Sequence, residues 1–277
     1  MFRLDPPDRY RLARAPLAQA LVQVRFPMIA RLQTAEGISP IQERLRDRYP
    51  YMTLRQEIAV QVLTGPGGQP PAITGGVVYE LADDDGRIVT IGGGSATLSV
   101  GAAYEGVEEF AERMEVMLTV LTEEARVPRC DRLGARYLTV VALPPGHEAG
   151  WKEWFRRELT GWAASELVDD ETVLEAGLSQ VSLRSPATGS FTGPAEIKAN
   201  IQHGLVPAGS GIPGNPPITT STRSYIISLD LFCEAAQPFD TAGLRGQFEE
   251  LHSEIDAFFR WSLTREGEEY FGYEALP

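Results

Sequence analysis

The sequence predicts an α+β protein made of two pseudo-repeated β-α-β-β-β-α units, with largely antiparallel sheet and one long amphipathic helix per unit. Three observations point there. Val107, Ala111, Met114, Leu118 and Leu121 share one face of a helix, and Leu244, Phe248, Leu251, Ile255 and Phe258 repeat that spacing in the second half. The strand-like segments alternate apolar with polar residues, as antiparallel strands with one solvated face do. The element order is the same in residues 1–127 and 128–277, read as two units packed into one pseudosymmetric body.

The first strand spans Ala18 to Phe26, where Ala20, Val22 and Val24 alternate with Leu21, Gln23 and Arg25 before Pro27. A short helix is expected from Ser39, a good N-cap residue followed by Pro40, with Ile41, Leu45 and Tyr49 as its apolar stripe and Pro50 as its stop. Strands follow at Leu54–Leu63, Gly76–Leu81 and Arg87–Val100, the last two flanking Asp83-Asp84-Asp85-Gly86, whose Asp-Gly step signals a hairpin. Tyr104 to Ala125 closes this half as the longest clean amphipathic stretch. In the second half the expected elements are a strand at Arg136–Leu143, a helix at Trp151–Ala164, strands at Val173–Arg184, Glu196–Leu205 and Ser224–Glu234, and a helix from Thr241 to about Glu266. Long loops in the second copy, chiefly Val206–Thr222, account for the unequal lengths, and surface insertions of this kind cost little.

Composition limits the function classes. Hydrophobic residues make up 43% and charged residues 23% of 277, ordinary for a globular chain able to build its own core. The formal charge of −13 argues against nucleic acid and against an anionic membrane surface, because both need dense Lys and Arg. No stretch has the length of a membrane span or the apolar core of a signal peptide. Two distant cysteines, Cys130 and Cys233, fit a reducing cytoplasm. The expected localisation is cytoplasmic.

Several segments occur together in a consistent order. They are Ala15-Pro16-Leu17 leading into Val22–Phe26, Tyr104–Phe110, Gly134–Leu138, Leu229-Asp230-Leu231, and Leu251-His252 with Phe258 and Phe259. In this the chain resembles a sporadically distributed family of uncharacterised bacterial proteins of about this length. Val107 stands where that family prefers Trp, and Thr139 where it prefers Asn after the Arg-Tyr pair. The resemblance implies the fold and a soluble bacterial origin, and no particular chemistry.

The usual catalytic signatures are missing. His147, His203 and His252 have no partner at metal-ligand spacing, so no metal and no cofactor is expected. Cys130 sits near Arg129 and Arg132, which would lower a thiol pKa, whereas Cys233 lies in an apolar strand. Gly92-Gly93-Gly94-Ser95 lacks the following Lys and helix of a phosphate loop and reads as a bulge or close backbone approach. Asp83–Asp85 read as a solvated turn, and Glu108, Glu109 and Glu112 as the acidic start and exposed face of a helix.

Binding candidates remain. Arg136 and Asp230 are charges inside apolar strands, able to pair across a sheet, hold an anionic group, or simply face water. Trp151, Trp154, Phe155 and Trp162 are dense for one short helix, as core packing or as a pocket or interface. With His252 on the last helix, the candidate ligand- or partner-binding residues are Arg136, Asp230, Trp151, Trp154 and His252. The expected function is a non-enzymatic binding or adaptor protein with a protein partner, in a bacterial accessory system. The alternatives are a small-molecule sensor using the cleft between repeats, and an enzyme with a site assembled from dispersed residues.

Overall fold

A computed structural model describes residues 1–2, 4, 9–61, 72–143, 150–161, 165, 172, 174–186, 193–194, 196–210 and 222–276. In chain order its elements are β1 (Tyr10–Leu12), β2 (Leu17–Arg25), α1 (Ala35–Leu45), β3 (Tyr51–Gln61), β4 (Ala72–Ala82), β5 (Ile88–Ile91), β6 (Ser95–Val100), α2 (Val107–Val120), β7 (Arg132–Ala142), α3 (Trp151–Trp154), α4 (Arg157–Thr160), β8 (Gly177–Pro186), β9 (Glu196–Val206), β10 (Ser224–Cys233), α5 (Thr241–Ser262), α6 (Arg265–Phe271) and β11 (Tyr273–Ala275). The class is α+β, and the paired strands are antiparallel throughout the registers of β3 to β6 and of β8 to β10. Two compact units divide the chain. An inserted unit holds Leu21–Leu133 and Ala235–Arg245; a terminal unit holds Met1–Ala20, Gly134–Glu234 and Gly246–Pro277.

In the inserted unit the strand order is β3-β4-β5-β6-β2. Alternation sends Val22, Val24, Leu81, Val89, Ile91, Ala96 and Leu98 into the core, which also takes Ile38, Ile41 and Leu45 of α1 and Phe110, Ala111, Met114 and Leu118 of α2. Each of the larger side chains contributes roughly 1.5–3 kcal/mol by leaving water, and Ala96 and Ala111 less. The strand expected over Arg87–Val100 is broken by Gly92-Gly93-Gly94. These residues form the β5–β6 turn and bind the chain after β2 through Phe26 N–H to Gly94 O and Ile29 N–H to Gly93 O. A Cβ on Gly93 would lie 2.4 Å from Met28 Sδ, the far end of a flexible and largely exposed side chain that would have to turn aside. Helix α1 starts earlier than Ser39: Thr34 Oγ1 accepts from Gly37 N–H at 3.1 Å, and Pro40 falls inside the helix.

The turn at Asp83–Gly86 does more than face water. It wraps Arg87, only 4% exposed, whose guanidinium meets Asp85 at 2.7 Å, Asp83 at 3.4 Å and Glu105 at 2.6 Å, and donates to Ala103 O at 3.2 Å. Glu109 lies 3.6 Å from Arg87 Nε and also pairs with Arg113, whose guanidinium sits 6.0 Å from the Tyr49 ring centroid. The acidic start of α2 is thus tied to the β4–β5 hairpin.

In the terminal unit the order is β7-β10-β9-β8. The helix expected over Trp151–Ala164 is two single turns, α3 and α4, separated at Phe155, which is extended and bridges to Leu263; residues 162–164 lie outside the described residues. Similarly, the last long helix stops at Ser262. Thr264 then caps α6 by accepting from Gly267 N–H at 3.0 Å. Phe248, Leu251, Ile255 and Phe258 of α5 are buried, as their spacing requires.

Candidate functional site

The terminal unit's strands have two unlike faces, set by period-two alternation. One face carries Tyr137, Tyr225, Ile227, Leu229, Ile201 and His203 and is covered by helices. Tyr137 lies against His252 of α5 at 5.4 Å between ring centroids, and Tyr225 stacks on Trp151 at 5.3 Å and on Phe155 at 4.8 Å. Residues of opposite parity point the other way. The registers Ser228↔Gln202↔Gln180 and Asp230↔Asn200↔Ser182 set them in two rows across β10, β9 and β8.

Arg136 of β7 joins the first row by donating from Nε to Ser228 Oγ at 3.1 Å. Arg136, Gln180, Asn200, Gln202, Ser228 and Asp230 line a shallow depression of about 140 Å³. Ser182 Oγ donates to Asn200 Oδ1 at 2.9 Å, and Gln202 Oε1 is buried with no hydrogen-bond partner among the described residues. Along the strands the polar band ends at an apolar cluster of Val140, Val206 and Ile226. In the other direction it meets Lys198 and Arg184. The depression therefore offers hydrogen-bond donors and acceptors, one cation and one anion, and no aromatic ring.

Arg136 and Asp230 thus come together. The other sequence candidates do not join them. Trp151 and Trp154 are buried on the helical side, Trp154 stacked on Tyr270 at 3.7 Å, and His252 sits between Tyr137 and Phe248. Trp162 and His147 lie outside the described residues. Ser228, Gln180, Asn200 and Gln202 were not singled out by sequence, since neutral polar residues mark any solvated strand face.

Cys130, Tyr225 and His203, whose pKa values are shifted, do not line the depression. Burial pushes the Cys130 thiol up to about 11, overriding the nearby arginines; Sγ donates to Arg132 O at 3.1 Å and Arg129 turns to Asp131. A thiol raised in this way stays protonated at neutral pH, which disfavours the thiolate that a nucleophile needs. Burial also raises Tyr225, whose OH donates to Leu159 O at 3.0 Å and lies 3.3 Å from His203 Nδ1. His203 itself is pushed below the ordinary histidine range by burial, partly offset by a hydrogen bond to the Leu159 backbone.

A pH dependence follows. With its folded pKa depressed, His203 is neutral in the native state when the unfolded chain already takes a proton, so unfolding binds protons and stability falls with falling pH below about 6.5. Urea unfolding of wild type and His203→Gln at about pH 5 and about pH 8 should show a smaller loss in the variant. An equal loss in both would assign the acid sensitivity elsewhere.

Among the described residues, no group of three or more His, Cys, Asp or Glu is placed to hold a metal ion, and no helix is long and apolar enough to cross a membrane. Compared with known proteins, the chain matches no family model, and no curated protein is significantly similar to it.

Proposed function

We propose that this is a non-enzymatic, cytosolic binding protein that takes a protein partner on the polar face of β7, β10, β9 and β8, centred on the Arg136–Asp230 depression. The observation that carries this reading is the lining itself: six polar side chains from four strands, four of them neutral. Small-molecule pockets usually enclose about 300–1,000 Å³ and are mostly apolar, so a hollow of about 140 Å³ without an aromatic ring fits them poorly.

The proposal extends to the scaffold. A duplicated β-α-β-β-β-α origin is supported by the matching strand orders. In the inserted unit the meander β3-β4-β5-β6 returns beside β2, and in the terminal unit β8-β9-β10 returns beside β7, each followed by a long helix. Buried free thiols at Cys130 and Cys233 are compatible with a reducing cytosol.

Affinity purification from the native host with mass spectrometry tests the function. Wild type should retain a protein that Gln202→Lys loses, while Arg265→Ala, on a distant exposed helix, keeps it. Recovery of a stoichiometric metabolite and no protein would replace the reading with a small-molecule sensor.

A further inference from the structure

We propose that the chain forms a twofold dimer in which β8 pairs antiparallel with β8 of a second copy, centred on Ser182. In the terminal unit β8 is outermost, bonded to β9 from Gly177↔Leu205 to Pro186↔Glu196, and among the described residues no strand covers its other side. Exposed edges are normally guarded by lysine, proline, bulges or inward charges. Between Gly177 and Ser185 none of these appears: the register with β9 is unbroken and the one charge is Arg184; proline enters only as the last residue, Pro186, which would lie opposite Leu178 at the end of the pairing. Leu178, Val181 and Leu183 are meanwhile 55%, 41% and 39% exposed.

The strand's sequence complements itself, which selects a second copy as the occupant. Antiparallel pairing about Ser182 sets Val181 against Leu183 twice, Gln180 against Arg184 twice, Ser179 against Ser185 twice, and Ser182 against Ser182. Opposed residues point to the same face, so Val181 and Leu183 from both copies would form one apolar cluster on the face that carries Ile201 and Leu229. Centring on Val181 would instead oppose Leu183 to Ser179 and Leu178 to Arg184, wasting both apolar contacts. Charge agrees. A chain of net −13 repels its own copy over most of its surface, but β8 brings no acidic residue and one arginine to the seam.

Cross-linking of the full chain tests the geometry. At the twofold, opposed Cα atoms lie about 4.5–5.5 Å apart, inside the about 4.4–6.8 Å that a disulfide spans. Mild oxidation of Ser182→Cys should give a covalent dimer, and Gln180→Cys, which faces Arg184, should not; Cys130 and Cys233 are buried. Wild type should sediment as a dimer. Val181→Lys with Leu183→Lys should weaken association at least about a hundredfold while leaving the far-ultraviolet circular dichroism unchanged, since both side chains face solvent in a single copy. A wild-type monomer at ~100 μM, its edge open to a foreign strand, would overturn the proposal. So would a dimer that survives the double lysine variant, or cross-linking through Cys at 180 as readily as at 182.

Discussion

Tyr225→Ala should cost about 3–5 kcal/mol of folding free energy, read as a lower midpoint in denaturant unfolding followed by tryptophan fluorescence. Tyr225 is 1% exposed, stacks with Trp151 and with Phe155, and ties α4 to β10 through its hydroxyl on Leu159 O. Removing it opens a cavity under α3 and α4 and strips the stack from Trp151. Tyr225→Phe separates the two contributions: it keeps the stack and leaves Leu159 O and His203 with one contact fewer, for roughly 1–2 kcal/mol. If the alanine variant lost no more than the phenylalanine variant, the stacked rings would not be holding the helices to the strands. Because Ser224 and Ser228 sit on the opposite face of the same strand, the alanine variant should also weaken any binding at the depression.

Arg87→Ala should be the most damaging charge removal, at about 3 kcal/mol. Breaking a buried ion pair typically costs about 3–5 kcal/mol, and the low end applies because Asp85 and Glu105 are themselves two-thirds exposed and can turn to water. Asp83 and Glu109 are less free, at 12% and 26% exposure; both keep Arg113 as a cation, and Asp83 also keeps the backbone N–H groups of residues 85 and 87 on its Oδ1. A double-mutant cycle with Glu109→Gln should give coupling above about 0.5 kcal/mol. Additive effects would show that Arg87 acts by packing its stem and not by its charge.

Much of this fold was legible from period alone. The alternation of Ala20, Val22 and Val24 and the stripe from Phe248 to Phe258 each commit a segment to one buried face, and that choice is local. The break at Gly92-Gly93-Gly94 leaves only a faint trace in the sequence: the buried positions shift from odd, Val89 and Ile91, to even, Ala96 and Leu98, a change of phase that a one-residue bulge would produce equally well. Ser39–Pro40 resembles a helix start more closely than Thr34 does, yet Thr34 caps the helix. The pairing of β1 with β11 joins two three-residue strands from opposite ends of the chain, too short for any pattern to announce.

The site divides the same way. Arg136 and Asp230 stood out as charges in apolar strands, whereas Ser228, Gln202, Asn200 and Gln180 acquire meaning only through the registers of β10, β9 and β8. Those registers are long-range facts. The tryptophans were visible as an excess, but whether an excess fills a core or lines a pocket depends on what packs opposite, here Tyr225 and Tyr270.

The pairing of Tyr10–Leu12 with Tyr273–Ala275 has a mechanical consequence. Tyr10 lies opposite Ala275 and Leu12 opposite Tyr273, with Arg260 over the Tyr273 ring at 4.2 Å, so the chain leaves this ribbon from both strands at the same end. Tension applied upstream of Tyr10 and downstream of Ala275 would peel the ribbon open one rung at a time, like a zip, and would not shear all its rungs at once. The clasp would yield at low force while the rest of the terminal unit stayed intact.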